Sequence, residues 1–277
     1  MKRGPIPILL AAALHGRRDH MTILGADGRE MELRADLFRA LEAHPERYRV
    51  QREQWSAEKD AYFRGLESLF IEELAPQERV DGSFAPLVRA MQRWLLSLPG
   101  YARQTSDVSK EAARFRKSLQ KPYLNARAYL FETLPQMFPE GPLSSVLAQV
   151  TAARQELAGA KMRLSARLMQ EFAVLFGHDV QAETSLGSAL ADWREGLSPK
   201  VRQHVFSGTA QAMLDVVLTP PAGDLQTLEA LARAVLGLRM NDWDDGKASL
   251  FLERVRAAKA EIEAQEERGE QRVDVDA

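Results

Sequence analysis

Residues 84–138 read FAPLVRAMQRWLLSLPGYARQTSDVSKEAARFRKSLQKPYLNARAYLFETLPQMF. Leu87, Met91, Trp94, Leu95 and Leu98 recur at helical spacing before Pro99-Gly100, which reads as an amphipathic helix with a firm stop. Val108, Ala112, Phe115 and Leu119 mark the apolar face of a second helix, VSKEAARFRKSLQK, with Ser106 or Asp107 placed to cap it. A third, apolar run ends in another Leu-Pro, at Leu134-Pro135. Two such stops delimit a compact helical unit. No catalytic spacing appears within it.

The helix between the stops is also the one clear basic stripe of the chain. Lys110, Arg114, Arg116, Lys117 and Lys121 stand against Asp107 and Glu111, and Arg103 and Arg127 flank them. Arg114, Lys117 and Lys121 fall at i, i+3 and i+7, so they share a face opposite the apolar one. A solvated helix face accounts for such a pattern, and so does contact with nucleic-acid backbone or an acidic protein partner.

The same helical periodicity extends in both directions. Upstream, Ser56 is an N-cap for a helix carrying Tyr62, Phe63, Leu66, Leu69, Phe70 and Leu74. Downstream of the break Pro139-Glu-Gly-Pro142, one long helix or two stacked ones fill Leu143 to Phe176, with Gly159 a weak point and Gly177 a stop. Further helices follow from Thr184 or Ser185 to Leu197, Val201 to Leu218, Asp224 to Leu236 and Lys247 to Ala264. Only the first 55 residues read differently. A short helix at 5–15, a hairpin from Met21–Leu24 and Arg29–Leu33, a helix at Asp36–Ala43 and a strand near Tyr48–Val50 compose a winged-helix-like module. Its helical residues Arg34, Arg39 and Arg47 are offset by Asp36, Glu42 and Glu46, which favours protein packing over phosphate contact. The expected fold is therefore mainly α, a helical bundle with a small N-terminal α+β element. The expected domains are 1–55, 56–138 with the basic helix, 143–265, and a disordered tail at 266–277.

Composition narrows the function classes. At 277 residues with 45% apolar and 27% charged residues, the chain can bury a sizeable core. A formal charge of -2 argues against coating nucleic acid by bulk charge. The absence of cysteine removes disulfides, thiol nucleophiles and thiolate metal sites, and fits a cytoplasmic location. Lys2 and Arg3 before the apolar Ile6–Leu14 imitate a signal peptide without a clear cleavage site. No stretch approaches the roughly 20 apolar residues of a membrane span.

The search for chemistry returns little. His15, His20, His44, His178 and His204 form no ligand pair, and no glycine-rich phosphate loop or nucleophile elbow is present. Asp242, Asp244 and Asp245 imitate the start of a calcium loop, but Gly246 falls one place early. They read more simply as an N-cap cluster around a core Trp243. No catalytic residue, metal site or cofactor is expected.

Three segments carry a family resemblance: GPIPILLAAAL at 4–14, LPGYARQTSDVSKEAARFRKSLQ at 98–120 and LGLRMNDWDDGKASLFLERV at 236–255. Together they resemble the C-terminal, non-catalytic region of large bacterial P-loop ATPases from anti-phage and mobile-element clusters. The resemblance implies a helical assembly or effector-coupling region, with ATP chemistry in a part not present here. The expectation is a non-enzymatic scaffold or regulatory module that associates with a protein partner. A nucleic-acid-binding module using the 103–127 stripe or the N-terminal module is the alternative.

Overall fold

In the computed structural model, residue 12 and residues 21–31, 35–52, 54–76, 78, 84–177 and 185–275 are described, with side chains to 268. The fold is mainly α with a small N-terminal α+β element. Strand β1 (Met21–Gly25) pairs antiparallel with β2 (Tyr48–Arg52), and α1 (Ala35–Ala43) lies between them in sequence. Of the expected hairpin, whose second strand is described only to Met31, one bridge is present among the described residues, Leu24 to Glu30. The long partner of β1 is instead β2, because Ile23 and Leu37 form a small core that Met31, Phe38, Leu41 and Tyr48 cover. The helix expected at 5–15, apart from residue 12, lies outside the described residues, as do Arg34, His15, His20 and His178.

The helices that follow are α2 (Ala57–Leu69), α3 (Phe84–Ser97), α4 (Gly100–Gln104), α5 (Lys110–Leu119) and α6 (Ala126–Ala128), the last running on into a π turn at Tyr129–Thr133. Then come α7 (Leu143–Leu175), α8 (Leu186–Gly196), α9 (Pro199–Arg202), α10 (Gly208–Leu218), α11 (Asp224–Leu236) and α12 (Asp245–Val275). Serine caps set several starts: Ser56 accepts from Lys59 N–H, Ser185 from Ser188 N–H, and Ser198 from Val201 N–H. Gly177 and Gly237 take positive φ of 88° and 72° after α7 and α11, where a side chain would be strained.

Several boundaries differ from the sequence expectation. The helix expected from Val201 to Leu218 is broken by residues 203–207, where the Gln211 side chain accepts from Phe206 N–H. Asp224 does not cap its own helix. Its carboxylate reaches the start of α8, accepting from Leu186 and Gly187 N–H at 3.1 and 2.9 Å. The tail expected to be disordered from 266 continues α12 to Val275, with Glu266 accepting from both the amide and the hydroxyl of Ser198. No helix among the described residues is long and apolar enough to cross a membrane.

The chain forms two compact units. Unit 1 comprises Met1–Leu98 and Val108–Leu157, and unit 2 comprises Pro99–Asp107 and Ala158–Ala277. These differ from the division expected at Pro139–Pro142. That loop stays within unit 1 because Leu143 N–H donates to Glu58 at 2.9 Å and Leu147 packs directly on Gly65. Helix α7 passes without a break from one unit's sequence into the other's, and Gly159 does not interrupt it. Unit 1 is built around Tyr62, Leu66, Phe70, Leu87, Met91, Trp94, Phe115 and Leu130. Its rings interlock, with Trp94 stacked on Phe115 and edge-on to Phe70. Unit 2 buries Phe172, Met213, Leu214, Leu228, Leu231, Trp243, Phe251 and Val255.

Candidate functional site

Helix α5 is short and polar, so its position depends on anchors at both ends. Ser109 is its N-cap, accepting from Ala112 N–H at 3.1 Å, in place of the expected Ser106 or Asp107. Glu156 in turn accepts from the Ser109 amide at 2.6 Å and its hydroxyl at 2.7 Å, which also puts a carboxylate at the helix N-terminus. At the other end the Gln92 amide donates to the carbonyls of Leu119 and Lys121, both at 3.3 Å. Ala112, Phe115 and Leu119 are buried on the inner face.

The outer face carries the basic residues, and the structure sorts them. Lys110, Arg114, Lys117 and Lys121 are exposed, and no carboxylate among the described residues pairs with any of them. Lys110 to Lys117 covers about 10 Å of helix, with Arg114 one turn from Lys110. Lys121 lies past the end of α5, in the turn that Gln92 holds, so it extends the row without sharing the helix. The other three expected members are placed differently. Arg116 is half-buried. Arg127 is 9% exposed, and its guanidinium pairs with Glu132 at 2.8 Å. Arg103 belongs to unit 2.

Several helical cations elsewhere on unit 1 are used internally. Arg64 pairs with Asp60, and Arg93 and Arg89 with Glu78. Arg154 pairs with Glu73 and lies over the rings of Phe70 and Trp94. A shallow groove of about 370 Å³ runs past Gly65, Leu69, Ile71, Leu147, Thr151 and Arg154. Its one cation is already engaged by Glu73 and two rings, and the exposed carboxylate of Glu72 lines it as well, so the groove does not suit an anionic ligand.

The acidic cluster has a structural role. Asp244 caps α12, accepting from Lys247 N–H at 2.8 Å, and the Lys247 side chain and amide together hold its carboxyl below the usual range. Asp245 accepts from the Thr105 hydroxyl at 2.6 Å, the Ser106 hydroxyl at 2.6 Å and the Ser106 amide at 2.7 Å. Burial pushes Asp245 upward, but the hydrogen bonds from Ser106 and Thr105 outweigh it and leave the carboxyl below its ordinary value. Trp243 is fully buried beside Phe251, as the sequence implies. A Cβ on Gly100 would sit 2.5 Å from the Asn241 carbonyl oxygen, so only glycine lets α4 approach this turn. Residues 99–107 and the turn at 240–245 thus meet within unit 2.

No group of three or more metal-ligating side chains occurs among the described residues. His44 contacts Glu46 at 3.3 Å, and His204 stands edge-on to Phe206. The chain matches no protein-family model, no curated protein and no solved structure.

Proposed function

We propose that this chain works by docking rather than by chemistry, as a non-catalytic helical module whose α5 ridge receives an anionic partner. One observation supports this reading above the others. Lys110, Arg114 and Lys117 on a helix clamped at both ends, and Lys121 in the turn just beyond it, stand exposed with no carboxylate partner among the described residues. Like charges one turn apart destabilise a helix by a few tenths of a kcal/mol, roughly 0.2–0.5 per pair. A row of one sign is therefore an arrangement that folding alone does not favour, and an anionic partner turns it into an attraction.

A protein face bearing carboxylates one helical turn apart is such a partner, and a phosphate chain is another. An ATPase of the kind the sequence resembles is a protein partner to try by co-purification. The direct test is fluorescence anisotropy at low salt with labelled polyglutamate and a labelled DNA duplex. The full chain is expected to bind at least one of them, and K110E/R114E/K117E to bind it at least tenfold more weakly. If the wild-type chain binds neither polymer, or the variant binds as well as wild type, the docking reading fails.

A further inference from the structure

The ridge does not stand alone on unit 1. Glu30, which follows the β1 turn, ties the β1–β2 ribbon to the loop immediately beyond Lys121. Its amide donates to the Leu124 carbonyl at 2.7 Å, and its carboxylate accepts from Ala126 N–H at 2.9 Å. Glu30 also bridges Leu24, and Leu24 pairs with Arg49, so Arg49 lies two strand spacings, about 10 Å, from the residue that touches this loop. Arg29 is adjacent to Glu30 and exposed, as is Arg49 on β2, whereas Arg52, three residues further along the strand, projects from its opposite face and is not counted. No carboxylate pairs with the Arg29 or Arg49 side chain among the described residues. Arg47 is not counted, since its neighbour Glu46 offsets it.

Resting on the docking reading of the ridge, we infer that the ridge and the β1–β2 ribbon form one continuous interface for the phosphate backbone of a nucleic-acid duplex. Three features favour that occupant. A duplex presents about one negative charge per 1.7 Å of its axis, enough to engage cations spread over a helix, a loop and a ribbon. A single acidic helix offers about one carboxylate per turn of 5.4 Å along one line, and reaches only the ridge. Non-specific binding of single strands relies on exposed aromatic platforms, and no Trp, Tyr or Phe is exposed among the described residues. Arginines on an edge strand also discourage edge-to-edge pairing, but that role does not call for the Glu30 tether beside Lys121. The contacts are to phosphate, so binding is expected to be salt-dependent and indifferent to base sequence.

The experiment measures binding of the full chain to a short DNA duplex, to one of its single strands and to polyglutamate, over a salt series. Wild type, K110Q/R114Q/K117Q, R49Q and the charge-retaining R49K are compared, with far-UV circular dichroism and thermal unfolding as checks on folding. The duplex is expected to bind tightest. R49Q is expected to weaken it about threefold and to flatten the log–log salt slope by about one, near 0.9 per lost phosphate contact. R49K should restore both. If the ridge variant weakens binding and R49Q does not, the ribbon is outside the interface and the inference falls while the docking reading stands. Tighter binding of polyglutamate assigns the ridge to an acidic protein, and equal binding of the single strand removes the duplex. Either result overturns the inference. If neither variant weakens binding of any polymer, both readings fall together.

Discussion

Pro99–Asp107 and Lys110–Lys121 are neighbours in sequence, similar in polarity and opposite in what their polar groups do. In the first, Thr105 and Ser106 give three hydrogen bonds to one carboxylate, Asp245, and Asp107 pairs with Arg167 at 3.2 Å. In the second, four exposed cations have no carboxylate partner among the described residues. The first group is satisfied within unit 2, and the second faces outward from unit 1. Polarity alone therefore does not locate a binding surface. What separates the two segments is whether the fold itself supplies the complementary charge.

The comparison is tested most severely at Asp245. Asp245→Ala leaves two hydroxyls and an amide without their acceptor and should cost about 1–3 kcal/mol, read from urea unfolding at neutral pH. Water reaches the exposed Ser106 more easily than buried Thr105, which moderates the loss. The carboxyl is held below its ordinary value in the folded chain, so its contribution is present above the unfolded pKa of about 3.9 and disappears as pH falls through the lower folded value. The gap between wild type and Asp245→Ala should accordingly close in acid, below about pH 4. A gap of the same size on both sides of that window would mean that the side chain stabilises by packing instead.

A smaller effect is expected where the two segments adjoin. Ser109→Ala removes the N-cap of α5 and the hydroxyl contact to Glu156, and should cost about 1 kcal/mol, while the amide contact to Glu156 persists. Because the cap positions the ridge, the same variant should weaken polyanion binding only slightly if α5 stays helical. Loss of binding comparable with charge reversal would show that the ridge depends on its clamp more than on its charges.

These anchors mark the limit of what the sequence made legible. Helix positions were readable because each amphipathic face repeats every three or four residues, and Ser56 and Ser185 announce their helices within three positions of the amides they cap. The acceptor for Ser106 lies 139 residues away, and no local pattern points to it. Asp224 looked like a cap for the helix it begins, yet its partners are on α8, 38 and 37 residues earlier. The unit boundary escaped for the same reason. Pro139–Pro142 is a strong local break, but long-range packing of α7 on α2 keeps it inside unit 1. Of the candidate surface, the helical row was visible through its spacing. Arg127 was counted with the row, and its burial and pairing with Glu132 show only in the structure. Arg49 was not singled out, because only the Glu30 tether brings the ribbon to the loop beyond α5.

The smallest expected effect sharpens the comparison furthest. Lys110, Arg114, Lys117 and Lys121 make no ion pair among the described residues and are exposed, so removing their charge deletes no internal interaction. Neutral substitution also relieves repulsion between cations one turn apart, a gain of roughly 0.2–0.5 kcal/mol per pair. Against that, Lys and Arg near the C-terminal end of a helix interact favourably with its dipole, by about 0.3–1 kcal/mol, and Lys117 lies in the last turn. The two contributions oppose each other. K110Q/R114Q/K117Q should therefore unfold within about 0.5 kcal/mol of wild type in urea, as surface substitutions away from internal contacts do. Near-neutral stability together with lost binding would place the ridge in the interface and outside the fold's own support. A destabilisation as large as that of Asp245→Ala would erase the distinction between the two segments, because the row of cations would then be serving the fold.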